Sequence, residues 1–468
     1  MTELFDVIVI GGGTAGLVAA SGCARLGRKV ALIERDALGG DCLWTGCVPT
    51  KALVATARLA HQMRNADAFG LAPHEPAIDG PSVMRSMRSA QREAGKADDP
   101  ERFRKLGIEV IEGIARLTSP KEVEVNGRRL EAKDIVIATG SRTSVPPIGG
   151  RTDFLDHASF LKQDSIPRSV AILGGGPIGV EFAQIFRRLG AEVTIVEAGS
   201  DILSKEDPDA IDAVRQLLRD EGVEILTGFA ATHVETSALH VERKDGETRA
   251  VNAESIFVAS GRRGNIEDLG LDAAGVQTKS SYIIVNKYLQ TTSPRVWACG
   301  DVHGGLQFTH VAAYEAVKLV RNMLFPGRSA VDYREIPWAV YTDPEVGHIG
   351  LTEPEARTES DAIRIYSVDM RDVDRAIVER APRGFVKFIC DRKGRILGAH
   401  AFCPNASTLI EEIVVARTKG MKIGELAQLV SAYPSLADSV SKAASQYYEN
   451  LGAGRLGALA RRIAAWSQ

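Results

Sequence analysis

Two cysteines, Cys42 and Cys47, stand five residues apart in the stretch Gly39-Gly40-Asp41-Cys42-Leu43-Trp44-Thr45-Gly46-Cys47-Val48-Pro49-Thr50-Lys51. In a reducing compartment such a local pair points to redox or metal chemistry rather than to a structural bridge. Residues five apart in a continuous α-helix lie on different faces, whereas a disulfide needs its α-carbons within about 7 Å. A segment that closes this bridge must therefore bend between the cysteines. Pro49 has no amide donor and suits the first turn of a helix that carries Lys51. A thiol near such a helix start and a lysine ionises more readily, and the thiolate is the nucleophile. Zinc is the rival reading, but a structural site takes four ligands and no second Cys or His pair has the spacing, so no metal is expected. The other four cysteines, Cys23, Cys299, Cys390 and Cys403, lie singly and read as packing residues.

The elements that would position this pair come from an internal repeat. Residues 6–20 read DVIVIGGGTAGLVAA and residues 169–183 read SVAILGGGPIGVEFA. Gly11, Gly13 and Gly16 map onto Gly174, Gly176 and Gly179, and the same offset carries Glu34 onto Glu197. Each copy predicts a buried strand, a glycine turn, a helix and a second strand ending in an acid. The glycines permit a tight turn, close approach to a pyrophosphate and close helix packing, and the acid accepts hydrogen bonds from a ribose. Two copies in this context predict two dinucleotide sites. No arginine closely follows Glu197, which favours the unphosphorylated ribose of NADH over NADPH. Further strands are expected at DIVIATG, ending in Ala138-Thr139-Gly140, and at RVWACGD, ending in Gly300-Asp301 before a helix from about Thr309. Asp301 taken alone reads as an ordinary helix cap. The chain is expected to leave the second nucleotide domain near Gly261-Arg262-Arg263.

Composition limits the alternatives. The 468 residues suffice for about three domains. A net charge of −3 gives no basic footprint for nucleic acid. No run approaches the roughly 18 apolar residues of a membrane span. The apolar stretch Val7 to Ile10 follows Glu3 and Asp6 and enters Gly11-Gly12-Gly13, so it reads as a strand and not as an export signal. A cytoplasmic protein is the expectation.

With these motifs the chain resembles the FAD-dependent pyridine nucleotide-disulfide oxidoreductases over essentially its whole length, closest to the mercuric reductase-like branch and related to dihydrolipoamide dehydrogenase. GGDCLWTGCVPTK is similar to the redox-disulfide signature and ACGD to the second FAD motif. TDPEVGHIGLTE, GFVKF and RILGAH resemble the dimerisation domain. The resemblance implies an α/β fold with two Rossmann-like domains, for FAD and NAD, and a C-terminal α+β dimerisation domain. Its expected divisions are residues 1–145 and 265–335 for FAD, 146–264 for NAD(P) and 336–468 for a homodimer interface. It implies FAD held by the first repeat, with Glu34 on the ribose, Lys51 near the flavin, and Ala115, Thr139, Gly140, Asp301 and Thr309 in contact with it. It further implies a nicotinamide nucleotide on the second repeat as far as Gly261, and Glu181 paired with Lys51. Cys47 would face the flavin and Cys42 would exchange with an electron acceptor, a small disulfide or a soft metal ion. Two other readings stay open: a dihydrolipoamide dehydrogenase running toward NAD reduction, and an electron carrier or redox sensor without a dedicated acceptor.

The sequence departs from that pattern at its C-terminal end. Where the dehydrogenases and glutathione reductases carry His-Pro-x-x-x-Glu, this chain has Tyr433-Pro434-Ser435-Leu436-Ala437-Asp438. A phenol with a pKa of about 10 is a poor base near neutrality, so Tyr433 is expected either to donate a hydrogen bond or bind a metal at the site, or to pack at the subunit boundary; the resemblance implies an active site that straddles two subunits, with this tyrosine segment approaching the disulfide of the neighbouring one. No cysteine follows Cys403, so the C-terminal cysteine pair of mercuric reductases has no counterpart. Leu456, Leu459, Ile463 and Trp466 fall at helical spacing among Arg455, Arg461 and Arg462, a pattern that predicts a helix packed on the dimer or resting on a membrane surface.

Overall fold

The computed structural model describes residues 3–150 and 153–453; the amphipathic stretch from Leu456 to Trp466 lies outside them. Strand Glu3–Ile10 pairs in parallel with Val30–Glu34 on one side and Arg128–Ile137 on the other, and Ile108–Glu112 and Val296–Ala298 extend the parallel sheet outward. The period of two divides the first strand between two cores. Val7 and Val9 pack with Ala19, Leu319 and Val320 under helices Thr14–Arg25 and Thr309–Leu324. Ile8 and Ile10 pack on the opposite face with Leu117, Val123 and Ile283. Burial on both faces accounts for the uninterrupted apolar run VIVI.

The second repeat builds a parallel sheet in the order Glu224–Thr227, Glu192–Glu197, Ser169–Leu173, Ser255–Val258. Its core closes on four fully buried rings: Phe160 meets Phe186 at 4.8 Å and Phe182 at 5.8 Å, and Phe257 meets Phe182 at 4.6 Å. The two glycine loops make the same turn. Gly11 and Gly174 have φ of +108° and +110°, and a Cβ on either would meet the carbonyl oxygen of Ala138 or Ala259 at 2.3 or 2.4 Å. The turn thus demands glycine twice for the same reason.

Between the two parallel sheets the chain crosses on a pair of short antiparallel strands, Ser141–Thr143 and Arg262–Gly264. A third unit is an antiparallel sheet in the order Trp338–Val340, Glu345–Gly350, Ile396–Cys403, Phe385–Cys390, Arg364–Asp369, packed on helices Ala406–Thr418 and Asp438–Ala453. This is the expected α/β architecture with a C-terminal α+β unit. No described helix is long and apolar enough to cross a membrane.

Candidate functional site

The cysteine segment bends where the sequence requires it. Helix Gly40–Trp44 ends at Thr45, and a new helix, Cys47–Arg64, starts after Gly46. A Cβ on Gly46 would meet the Asp41 carbonyl oxygen at 2.8 Å, so the reversal closes only around glycine. Buried Gln91 holds the first helix by donating its amide to the carbonyls of Leu43 and Trp44 at 3.0 and 2.7 Å. Trp44 Nε1 donates to Leu38 O at 2.8 Å. Gly13 and Gly39 form a parallel bridge that ties the segment to the first glycine loop.

Beside this segment opens a cavity of about 1310 Å³, larger than the roughly 300–1000 Å³ usual for a single small ligand. Its lining includes Glu34, Arg35 and Asp36, then Gly11, Gly13 and Thr14 of the first glycine loop, and also Cys42, Cys47, Lys51 and Glu181. Ala115, Thr139, Gly140, Asp301 and Thr309 also line it. The structure therefore gathers most of the sequence-predicted residues around one space. Gly16 packs beneath the loop, where a Cβ would meet Gly11 O at 1.8 Å. Gly174, Gly176, Gly179, Glu197 and Gly261 stand outside the lining, yet helix Pro177–Arg188 sends Pro177, Ile178, Glu181 and Phe182 into it. Both repeats thus reach the same space.

Within this lining, Lys51 Nζ donates to Glu181 Oε2 at 2.7 Å and lies 4.5 Å from the centre of the Tyr341 ring. The other Glu181 oxygen accepts the Tyr341 N–H at 2.9 Å. Burial works against the Lys51 ammonium, but the Glu181 carboxylate outweighs it and raises the lysine pKa. Thr309 Oγ1 lies 3.4 Å from Cys47 Sγ, and Cys42 and Cys47 perturb each other as a pair. The Cys42 hydrogen bond above all, then Thr309 and the Lys51 charge, overcome burial and bring Cys47 down to about 6. The same pairing, with burial, pushes Cys42 far above the ordinary thiol range. Of the pair, Cys47 carries the thiolate and Cys42 keeps the proton. The remaining cysteines are fully buried, as their surroundings in the sequence suggested.

A polar network in the cavity lining escaped the sequence reading. Arg262 donates from Nη2 to Asp41 at 2.7 Å and from Nε to Ser141 Oγ at 2.7 Å, while Ser141 donates to Asp301 at 2.7 Å. His157 Nε2 lies 3.3 Å from Asp41. Burial raises Asp301 despite the nearby Arg262. For Asp41 the balance reverses, because the His157 hydrogen bond and the Arg262 charge outweigh burial and lower it. Asp301 does not cap a helix: Gly300 precedes the short turn Asp301–His303, and the carboxylate is occupied by Ser141. The cap expectation is corrected. Arg262 followed a glycine at a strand return, a signal that could have marked it; His157 gave none.

Tyr433 lies outside the cavity lining of its own chain, 73% exposed, and donates its hydroxyl to Asp374 Oδ2 at 2.6 Å. That bond raises its pKa further, so the phenol is a still poorer base than its type alone implies.

Comparison with known proteins accords with this geometry. Residues 5–316 match the family model of pyridine nucleotide-disulphide oxidoreductases, and residues 336–444 match that family's dimerisation domain. The chain is 32% identical over 447 residues to a mercuric reductase of Bacillus cereus, covering 94% of this chain and 71% of the relative. It is 33% identical over 467 residues to the dihydrolipoyl dehydrogenase of Bacillus subtilis, covering 95% and 98%. Among solved structures, the Cu(II) complex of the HOCl-induced flavoprotein disulfide reductase RclA from Escherichia coli aligns with a TM-score of 0.85 and 29% identity, over 95% of this chain and 100% of that one.

Proposed function

The chain belongs to the pyridine nucleotide-disulphide oxidoreductases, a family of FAD-dependent enzymes, and from that premise we propose that it uses NADH to reduce the Cys42–Cys47 disulfide and passes the electrons to a disulfide or a soft metal ion. The observation that carries this reading is that both sulfurs and the Lys51–Glu181 pair line the same cavity as a dinucleotide-type glycine loop.

The residues present fit FAD. Gly13 caps helix Thr14–Arg25 with no side chain on its first amides, which leaves them free to meet a pyrophosphate. Glu34 is fixed by the Gly12 and Asp36 amides at 2.6 and 2.9 Å and keeps acceptor capacity for a ribose. The group, when bound, supplies two-electron transfer between a nicotinamide and a disulfide. Glu197, held by the Gly175 and Gly199 amides at 2.6 Å each, repeats the arrangement of Glu34 and supports an unphosphorylated second ribose, hence NADH. Glu181 anchors the Lys51 ammonium, Lys51 and Thr309 stabilise the Cys47 thiolate, and Cys42 serves as the exchanging thiol. Because the pair shares one proton, Cys47 can accept that proton as Cys42 attacks. Attack by Cys42 then needs no histidine base, which suits a soft metal ion in particular, since its reduction consumes no proton. A thiolate pair also binds soft metal ions, and the names of two relatives, a mercuric reductase and a Cu(II)-bound disulfide reductase, support a metal acceptor.

The same reading places the domain divisions at residues 145, 264 and 335, since strand Val296–Ala298 returns to the first sheet. It makes the working form a homodimer, in keeping with the dimerisation domain and the exposed Val415, Leu429 and Val430. The reducing cytoplasm is its proposed compartment.

Anaerobic titration of the FAD-loaded protein with NADH tests the proposal. Two electrons per chain should produce a long-wavelength absorption band from a thiolate beside the flavin. Cys42→Ser should keep flavin reduction by NADH but abolish reduction of Hg(II) or of a small disulfide. If Cys42→Ser leaves acceptor reduction intact, the protein is an electron carrier working from the flavin alone.

A further inference from the structure

A second cluster of ligand-type side chains lies away from the cavity, where the second repeat meets the C-terminal sheet. His348 and His400 sit opposite each other on neighbouring antiparallel strands, with Trp338 paired to His348 and Lys387 to His400 in one cross-strand row. Glu206, just before helix Pro208–Asp220, reaches onto this row. All three potential ligands are buried, with 5% exposure for Glu206, 1% for His348 and 0% for His400. Each offers one ligand atom, and these atoms lie within 4.8 Å of one another.

The hydrogen bonds determine which nitrogens are available. His348 Nε2 lies 2.9 Å from Gly350 O, and His400 Nε2 lies 3.0 Å from Leu351 O. A carbonyl oxygen only accepts, so both Nε2 atoms carry protons, and Nδ1 is the nitrogen each ring turns toward the cluster. Metal-ligating histidines characteristically have their other ring nitrogen tied to a backbone carbonyl in this way. His348 Nδ1 lies 2.9 Å from Glu206 Oε2. His400 Nδ1 is buried and has no hydrogen-bond partner. The second Glu206 oxygen accepts the Trp338 N–H at 2.6 Å. The neighbouring cation cannot help, since Lys387 is already shared by Asp207, Asp209 and Glu353 at 2.9, 2.7 and 2.8 Å. Two imidazole nitrogens and a buried carboxylate thus converge, and one of the nitrogens, His400 Nδ1, is buried without any partner.

We propose that Glu206, His348 and His400 form a zinc site, with Nδ1 of each histidine and Oε2 of the glutamate as ligands. Two imidazoles and a carboxylate suit zinc and leave one position of a tetrahedron open. Zinc–ligand bonds of about 2.0–2.1 Å put tetrahedral neighbours about 3.3 Å apart. The 2.9 Å pair must therefore open slightly and the widest separation close, within reach of side-chain rotation. The ion would tie the nucleotide-binding unit carrying Glu206 to the C-terminal sheet carrying both histidines. The residues are distant in sequence, which is why spacing gave no hint of them. The proposal stands independently of the reaction proposed above.

The FAD-loaded enzyme, kept oxidised so that Cys42 and Cys47 do not compete, is incubated with Zn²⁺, dialysed and analysed for metal. About one zinc per chain should remain. The zinc-edge X-ray absorption should show nitrogen and oxygen neighbours at about 2.0–2.1 Å and no sulfur at about 2.3 Å. Glu206→Gln and His400→Gln should each lower zinc affinity at least about tenfold while the bound flavin spectrum is retained. Absence of retained zinc, a sulfur shell, or retention unaffected by both substitutions would overturn the site and leave a proton shared between His348 and Glu206. If a variant fails to hold flavin, the metal content and absorption spectrum of the unaltered protein still decide.

Discussion

The ionisation of Cys47 offers the sharpest check on the electrostatics of the site. The structure brings this thiol down to about 6, with the Cys42 hydrogen bond as the largest cause, followed among the lowering influences by Thr309 and then Lys51. A hydrogen bond to a charged acceptor is worth about 1.5–3 kcal/mol. Cys47 faces the open cavity, and screening reduces this to about 1.4 kcal/mol, or about one pH unit. Cys42→Ala should therefore raise the Cys47 midpoint by about one unit or more, and Thr309→Val by less. Cys42→Ser keeps a donor and should change it least. Lys51→Met, which removes a charge acting through partly solvated space, should rank below Cys42→Ala. The sign follows directly: Cys47 is a thiolate above its midpoint and a thiol below. Alkylation thus falls as pH drops through about 6 in the native protein, and every variant that raises the midpoint is less reactive at pH 7. The assay is the pH profile of iodoacetamide labelling at Cys47 in the NADH-reduced protein, with the labelled residue identified by mass spectrometry. A profile centred above pH 8, or one equally displaced by Cys42→Ser and Cys42→Ala, would refute the account.

Arg262→Gln removes the cation that faces both Asp41 and Asp301; flavin retention should weaken by at least about tenfold, below the full cost of a broken buried pair because Asp41 is partly exposed, as measured by fluorescence on release of the cofactor. Glu197→Ala should raise the KM for NADH more than it lowers kcat in steady-state kinetics, and equal loss in both would argue against a ribose contact. Tyr433→His should raise turnover of dihydrolipoamide by at least about tenfold, short of the 10²–10⁴ typical of a well-placed base; unchanged turnover would mean that residue 433 does not reach a neighbouring active site. Phe160→Ala, which empties the centre of the four-ring core, should cost about 3–5 kcal/mol and lower the unfolding temperature by at least about 5 °C, followed by circular dichroism.

Local sequence determined whatever depends on neighbours along the chain. The glycine loops, their acids, the bend between Cys42 and Cys47 and the helix after Pro49 were legible because each rests on backbone geometry that few residue types satisfy, as the matching φ of Gly11 and Gly174 illustrates. Resemblance added the Lys51–Glu181 pair, which joins residues 130 apart. Tertiary structure alone decided the rest. Arg262, Ser141 and His157 reach Asp41 and Asp301 only because two crossing strands pair at the domain boundary. Glu206, His348 and His400 meet because a sheet register and a domain contact coincide. Charges and lone pairs act through distances of a few ångströms in space, and a sequence carries those distances only where the chain folds locally.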